Sequence, residues 1–318
     1  MNLAWRLASS AFCALALLLD TAALAEAVTV QDSKGREIRI DDASRIVSIG
    51  GAVTEILYAL GRADRIVGVD ATSLYPKEAI KTKPNVGYYR QLSPEGVLSL
   101  APSLILAADG SGPKDAVSVL ESASVPFVRV PDTYDGEGIL KKIDIVAAAT
   151  DSVPQGKCLA QWVRNELSAL ASMRSAIRKP ARVMFILSFA GDKPMVAGRN
   201  TAADGLMKLA GAVNVFDGID GYKAVNEEAV LAAAPDWVLS MNRSGVPNLD
   251  ASQIFSKAAL AATPAARQKQ FFSMDGLYML GFGPRTARAA RDLSRALYPE
   301  LNAGHLPSDE GAAATCAQ

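Results

Sequence analysis

Short apolar runs alternate along most of the chain with stretches whose apolar positions recur every three or four residues. RIVSIG (45–50) reads as a buried strand ending in glycine, and VTEILYAL (53–60) as the helix after it, closed by Gly61. Residues 66–69, 104–107 and 125–130 read as further strands, separated by helical patterns over 94–100, opened by Pro94, and 113–122. Residues 28–30 and 37–40, joined by Asp32-Ser33-Lys34-Gly35, read as a small hairpin ahead of them. Strands alternating with helices build parallel sheets covered by helices, so the fold class is α/β.

The pattern then repeats. VLSLAPSLILAAD (97–109) matches VLAAAPDWVLSMN (230–242), each a helix end, Ala-Pro and an apolar strand, and RIVSIG (45–50) parallels RVMFIL (182–187). The offsets, 133 residues (97 to 230) and 137 (45 to 182), hold nearly constant register, which points to two similar Rossmann-like lobes. Between them, Leu159, Trp162, Val163, Leu167 and Leu170 fall at helical spacing, and Pro180 closes the pattern. The expected organisation is an N-terminal lobe over 26–152, one long helix over 153–178, and a C-terminal lobe with its tail over 179–318. A single connecting helix makes a stiff hinge that permits modest closure, and the cleft between lobes is the preferred place for a ligand.

The first 25 residues carry a different pattern. Arg6, the apolar run 11–19 and Ala23-Leu24-Ala25 fit a cleavable export signal, with too short a core to span a bilayer. The mature chain is thus expected in the periplasm, starting near Glu26. Cys13 leaves with the signal, and Cys158 and Cys316 remain as either a disulfide or two free thiols.

Composition narrows the function. The 33 basic and 33 acidic side chains cancel, so there is no field to gather nucleic acid, and none is expected as a partner. The one histidine, His305, and three cysteines exclude multi-histidine and cysteine-rich metal centres, a zinc carrier included. No G-x-S-x-G elbow occurs, which disfavours an exported hydrolase. An enzyme is not expected. Gly281-Phe282-Gly283 lacks the spacing and lysine of a phosphate loop.

Four segments carry a resemblance: RIVSIGGAVTEILYALG (45–61), VGYYRQLSPEGVLSLAPSLILA (86–107), MVAGRNTAADGLMKLAGAVNVFDG (195–218) and MDGLYMLGFGPRT (274–286). With the export signal and the connecting helix, they make the chain similar to the substrate-binding proteins of ABC importers for siderophores, cobalamin and haem, and within that class to the periplasmic haem-binding group. The resemblance implies a monomer that captures ferric haem between its lobes and hands it to an inner-membrane ABC permease dimer with its ATPase. A ferric siderophore or cobalamin is the alternative cargo.

The resemblance further implies Tyr88 as the axial ligand of haem iron, a role suited to a hard phenolate oxygen on Fe(III). An extended segment would put Arg90 on the same face as Tyr88, as hydrogen-bond partner of the phenolate or of a haem propionate, and turn Tyr89 away as packing or pocket wall. Some relatives add a histidine from the C-terminal lobe. Here Ser188-Phe189-Ala190-Gly191 stands at that place, favouring five-coordinate iron with Phe189 stacked on the porphyrin or packed in the core. Arg243, equivalent by the repeat to Gly110, is a second contact to Tyr88 or a propionate. Arg199 and Arg285 read equally as surface charges, and Met184, Met195 and Met241 as packing. Docking acids of the class match Glu55 in the N-terminal lobe and either Asp204 or Glu228 in the C-terminal one.

Overall fold

A computed structural model of the protein describes residues 27–243, 248–301 and 316. The expected export segment, with Cys13, and His305 lie outside the described residues. The chain opens with a hairpin, β1 (Val28–Gln31) and β2 (Glu37–Ile40), whose turn is held by the buried Asp32 carboxylate. That group accepts the Lys34 and Arg36 amides at 2.9 and 3.0 Å and the Arg36 guanidinium at 2.6 Å.

The first lobe follows as β3 (Ile46–Ile49), α1 (Gly51–Ala59), β4 (Ile66–Val69), α2 (Lys77–Thr82), α3 (Pro94–Leu98), β5 (Leu104–Ala108), α4 (Lys114–Ser122), β6 (Phe127–Val130) and α5 (Gly136–Ala149). Its four strands lie in the order β4-β3-β5-β6, all parallel. Every residue of β3 is buried, as parallel strands covered by helices on both faces require.

Helix α6 (Val153–Arg174) carries the chain to the second lobe. It is shorter than the 153–178 expected: Leu170 is its last buried side chain, and Ile177 packs on the core from beyond its end. It packs against α5, where Gly156 meets the Ala147 methyl so closely that a Cβ would collide with it. The structure also joins Cys158 on this helix to Cys316 in a disulfide, with Cα atoms 5.7 Å apart.

The second lobe contains β7 (Arg182–Ala190), β8 (Lys193–Ala197), α7 (Ala202–Leu209), β9 (Val213–Asn214), β10 (Tyr222–Ala224), α8 (Glu227–Ala233), β11 (Trp237–Asn242), α9 (Ala251–Phe255), α10 (Ala258–Ala261), α11 (Pro264–Gln268), β12 (Phe271–Asp275), α12 (Gly276–Leu280) and α13 (Thr286–Leu297). The sheet order is β10-β8-β7-β11-β12, with β9 beside β7. Here the all-parallel expectation is corrected: β7 runs on past the apolar RVMFIL, turns at Gly191 with φ +62°, and returns as antiparallel β8, to which β10 adds.

The repeat survives at the level of register. Ile46 pairs with Leu104 where β3 meets β5, and Val183 pairs with Trp237 where β7 meets β11. These are the residues that the sequence offsets make equivalent, so each lobe is built on the same parallel strand pair. One apolar cluster runs through the molecule from Ile46 and Leu104, past Leu159 and Val163 of α6, to Phe185 and Leu293. A second cluster in the N-terminal lobe and a third in the C-terminal lobe cover the remaining sheet faces. Among the described residues no helix is long and apolar enough to cross a membrane.

Candidate ligand cleft

The N-terminal rim is built from the loops that leave the carboxyl ends of the parallel strands, where open α/β sheets place ligands. β3 and β4 are tied together there by Asp70. Its fully buried carboxylate accepts the Gly50 amide at 2.9 Å, the Thr72 amide and hydroxyl at 2.9 and 2.6 Å, and the Ser73 hydroxyl at 2.9 Å. A buried carboxylate with this many donors is satisfied in place and acts as a fixed corner.

Residues 84–92 lie along that corner. The Val69 and Ala71 amides donate to the carbonyls of Pro84 and Gly87, and the Val86 amide donates back to Val69. Gly87 sits at φ +93°, a conformation open to glycine, and its amide donates to Oδ1 of Asn85 at 2.8 Å. The Gln91 amide then closes on the Tyr88 carbonyl at 2.7 Å, while the Gly112 amide and carbonyl clamp Tyr89 and Leu92. The segment is therefore a turn with Tyr89 and Arg90 at its middle. The alternation expected of an extended strand is lost, and this corrects the placement of Arg90, while Tyr89 packs as expected.

Arg90 donates through Nε to the Tyr89 hydroxyl at 2.6 Å, and its guanidinium carbon is 5.0 Å from the Tyr89 ring centre. Tyr89 packs on the N-terminal cluster, and burial pushes its phenol up to about 12 against the opposing charge of Arg90. Tyr88 meets Tyr89 edge-on, ring centres 5.1 Å apart, and remains 43% exposed.

Sequence reasoning missed the rest of the cluster. Tyr134, in the loop after β6, places its hydroxyl 3.4 Å from Oδ2 of Asp132. Tyr222 of β10 answers from the other lobe, its hydroxyl bonded to Thr201 and the Ala203 amide, within electrostatic reach of both Arg90 and Asp132. Burial raises both phenols. The signal was present in PDTYDG, which follows strand 125–130 at the same carboxyl end of the sheet as the Tyr88 segment. Tyr222 carried no such mark, because β10 joins the sheet antiparallel. Among the described residues no three His, Cys, Asp or Glu side chains converge as a metal-binding group.

Several expected contacts fall elsewhere. Glu55 is only 5% exposed, because the first two turns of α1 are buried, and it bonds Arg285 of the other lobe, so it is not an outer-surface acid. Asp204 is 2% exposed and is held by Lys208 Nζ at 2.6 Å and Asn214 Nδ2 at 3.1 Å, and so is no docking acid either. Glu228 is exposed in the first turn of α8. Arg243 donates to the Leu187 carbonyl at 2.7 Å and braces the end of β7 rather than Tyr88. Phe189 lies in β7 and packs on the C-terminal cluster beneath Lys257, whose Nζ is 5.6 Å from the ring. Arg199 faces Asp220 at 3.7 Å on the surface, and Met184 is fully buried.

Two lobes on one helix, with tyrosines from both gathered near Arg90 and Asp132, define a class of binding protein. The chain belongs to the periplasmic binding protein family, matched over residues 46–277, the substrate-binding components of ABC importers. It is similar to the periplasmic heme-binding protein RhuT from Roseiflexus sp. RS-1, at 37% identity and TM-score 0.75 over 82% of this chain and 100% of that one. It is also similar to the periplasmic heme-binding protein BhuT solved with two hemes, at 38% identity and TM-score 0.74 over 81% and 98%. A vitamin B12-binding protein of Vibrio parahaemolyticus is 29% identical over 77% of this chain and 86% of its own.

Proposed function

We propose that the protein captures ferric haem in the cleft and delivers it to an inner-membrane ABC permease, after export directed by residues 1–25. The observation that carries this reading is Tyr88: its side chain is exposed on a turn pinned at both ends, while Tyr89, Tyr134 and Tyr222 are more deeply packed. The similarity to RhuT and BhuT supports haem as the cargo.

The chemistry follows from the phenol. A free phenol keeps its proton near neutrality, since its ordinary pKa is about 10. Fe(III) displaces that proton by bonding the oxygen, and a nearby cation favours the resulting anion. Arg90 lies within electrostatic reach of Tyr88 through the tyrosine cluster and can supply that charge. With serine and phenylalanine at 188 and 189, the C-terminal rim offers no histidine there, which favours Tyr88 as the one protein ligand. Glu228 is the remaining acid of the C-terminal lobe proposed to meet the permease.

The test is a titration with ferric haem, following the visible spectrum of wild type beside Tyr88→Phe. The expected result is a saturable high-spin spectrum of tyrosinate-bound iron that disappears in the variant. Cobalamin is the second reading, favoured by the vitamin B12-binding relative. Saturable cobalamin binding that is indifferent to Tyr88→Phe, with only free-haem spectra, would replace the first reading by the second.

A further inference from the structure

The GFGPRT stretch has no part in the cargo chemistry, yet it is where the lobes grip each other. Phe282 is a non-glycine residue at φ +49°, with its ring fully buried. Such a backbone is strained for a residue with a side chain and persists where its surroundings enforce it. Those surroundings combine Gly205 of its own lobe with residues of the other lobe. Tyr134 meets the Phe282 ring edge-on at 5.4 Å, and Lys142 of α5 donates to the Phe282 carbonyl at 3.4 Å.

Three residues on, the opposite charge holds the same turn. The Arg285 amide donates to Oε1 of Glu55 at 3.2 Å, and its guanidinium to Oε2 at 2.9 Å. Gly283 leaves room for this: a Cβ there would lie 3.3 Å from the Glu55 carboxyl carbon. The Arg285 guanidinium also stacks on Tyr75 of the N-terminal lobe, 3.5 Å from the ring centre, and lies 5.3 Å from Tyr278 of its own. Glu55 and Lys142 are both buried, so these bonds form away from water and are lost at high cost.

Lys142 reaches further. Its ammonium also donates to Oδ1 of Asp132 at 3.3 Å, and Oδ2 of that carboxylate faces the Tyr134 hydroxyl. A Cβ on Gly110 would lie 3.2 Å from Asp132 Oδ2 and 3.6 Å from the Tyr89 ring. One lysine thus links the junction of the lobes to the tyrosine cluster of the cleft.

We propose that residues 282–285 form a clasp, gripped by Lys142 from one side and Glu55 from the other, that sets the spacing of the lobes and hence the width of the cleft. Glu55 and Lys142 are positioning residues, and the connecting helix alone does not hold the lobes at their distance. The proposal concerns the ligand-free protein and holds for any cargo, so it stands or falls independently of haem.

The test places spin labels on one exposed residue of each lobe, through Val119→Cys and Leu231→Cys, and reads the distance between them by pulsed electron resonance without ligand. A narrow distribution is expected with the clasp intact. Glu55→Gln combined with Lys142→Met is expected to broaden it and move it to longer distances. The Arg285 amide, whose charged acceptor becomes a weaker neutral amide oxygen, is expected to exchange its hydrogen faster in Glu55→Gln alone. That near-isosteric variant keeps the test alive if the double variant does not fold. An unchanged distance distribution in a double variant of native near-ultraviolet dichroism, or unchanged exchange at Arg285 in Glu55→Gln, overturns the proposal.

Discussion

Arg45 and Arg182 stand at the start of the same strand in the two lobes and make the same bonds. Arg45 donates to the Leu100 carbonyl at 2.6 Å and its amide to the Ser103 hydroxyl, while Arg182 donates to the Ala233 carbonyl at 2.7 Å and its amide to Asp236. Each guanidinium satisfies a carbonyl at the end of the helix that leads into the neighbouring strand, β5 or β11, just before an alanine of positive φ, Ala101 at 46° and Ala234 at 42°. The shared motif is a corner that feeds the helix into that strand. Replacing either arginine by methionine is expected to cost about 1 kcal/mol, because the carbonyls regain water as a partner. The corners belong to different lobes, so the two losses should add within about 0.5 kcal/mol. Urea unfolding of the single and double variants measures both.

The tyrosine pair separates ligation from support. Tyr88→Phe removes the oxygen proposed to bind iron and is expected to abolish the tyrosinate spectrum. Tyr89→Phe leaves that oxygen and removes only the hydroxyl that holds Arg90. Loss of such a supporting group typically costs about 10–100-fold in metal affinity, with the ligand set unchanged. Haem titrations of the two variants, read for both spectrum and affinity, distinguish these outcomes. Equal loss of the spectrum in both would contradict the division of roles.

Tyr89 also predicts an alkaline transition. Its phenol is raised from 10.0 to about 12 by burial, so folding favours the neutral form. The stabilisation this gives is fully present below pH 10, where the unfolded phenol is also neutral, and is lost as pH rises through about 12. In Tyr89→Phe the loss of stability between those values should be shallower. Denaturation midpoints measured across that range, with the protein otherwise at constant ionic strength, show whether the slope changes.

Gly156 tests the seam between α5 and α6. A side chain there meets Ala147, so Gly156→Val is expected to destabilise by about 1–3 kcal/mol through overpacking, although glycine within a helix is intrinsically unfavourable. Gly156→Ala is expected to do less harm, and a thermal midpoint raised by either substitution would refute the close contact.

The repeat was legible because it is local. An apolar strand, an Ala-Pro corner and a helix end are each written in a few adjacent residues, and the offsets alone pair Ile46 with Val183 and Leu104 with Trp237. The connecting helix was legible from its apolar spacing, apart from its last turn. The segment around Tyr88 was visible as a loop, and Tyr88 itself stood out only through the family resemblance. The direction of Arg90 was not legible, because one hydrogen bond from Gln91 to the Tyr88 carbonyl turns the segment and cancels the alternation on which the expectation rested.

Glu55 marks the boundary between the two kinds of knowledge. On α1 alone, a carboxylate between apolar neighbours reads as a solvated helix face. Its burial depends on a second lobe 230 residues away in the chain that brings Arg285 to it. Two similar α/β lobes and one helix between them follow from strand, helix and corner preferences that act over a handful of residues. Which charges face each other across the lobes, and which tyrosines gather round Arg90, is fixed only when the chain has folded. Those pairings join residues that no local pattern relates, and the energy of burying a charge is known only once its partner is in place.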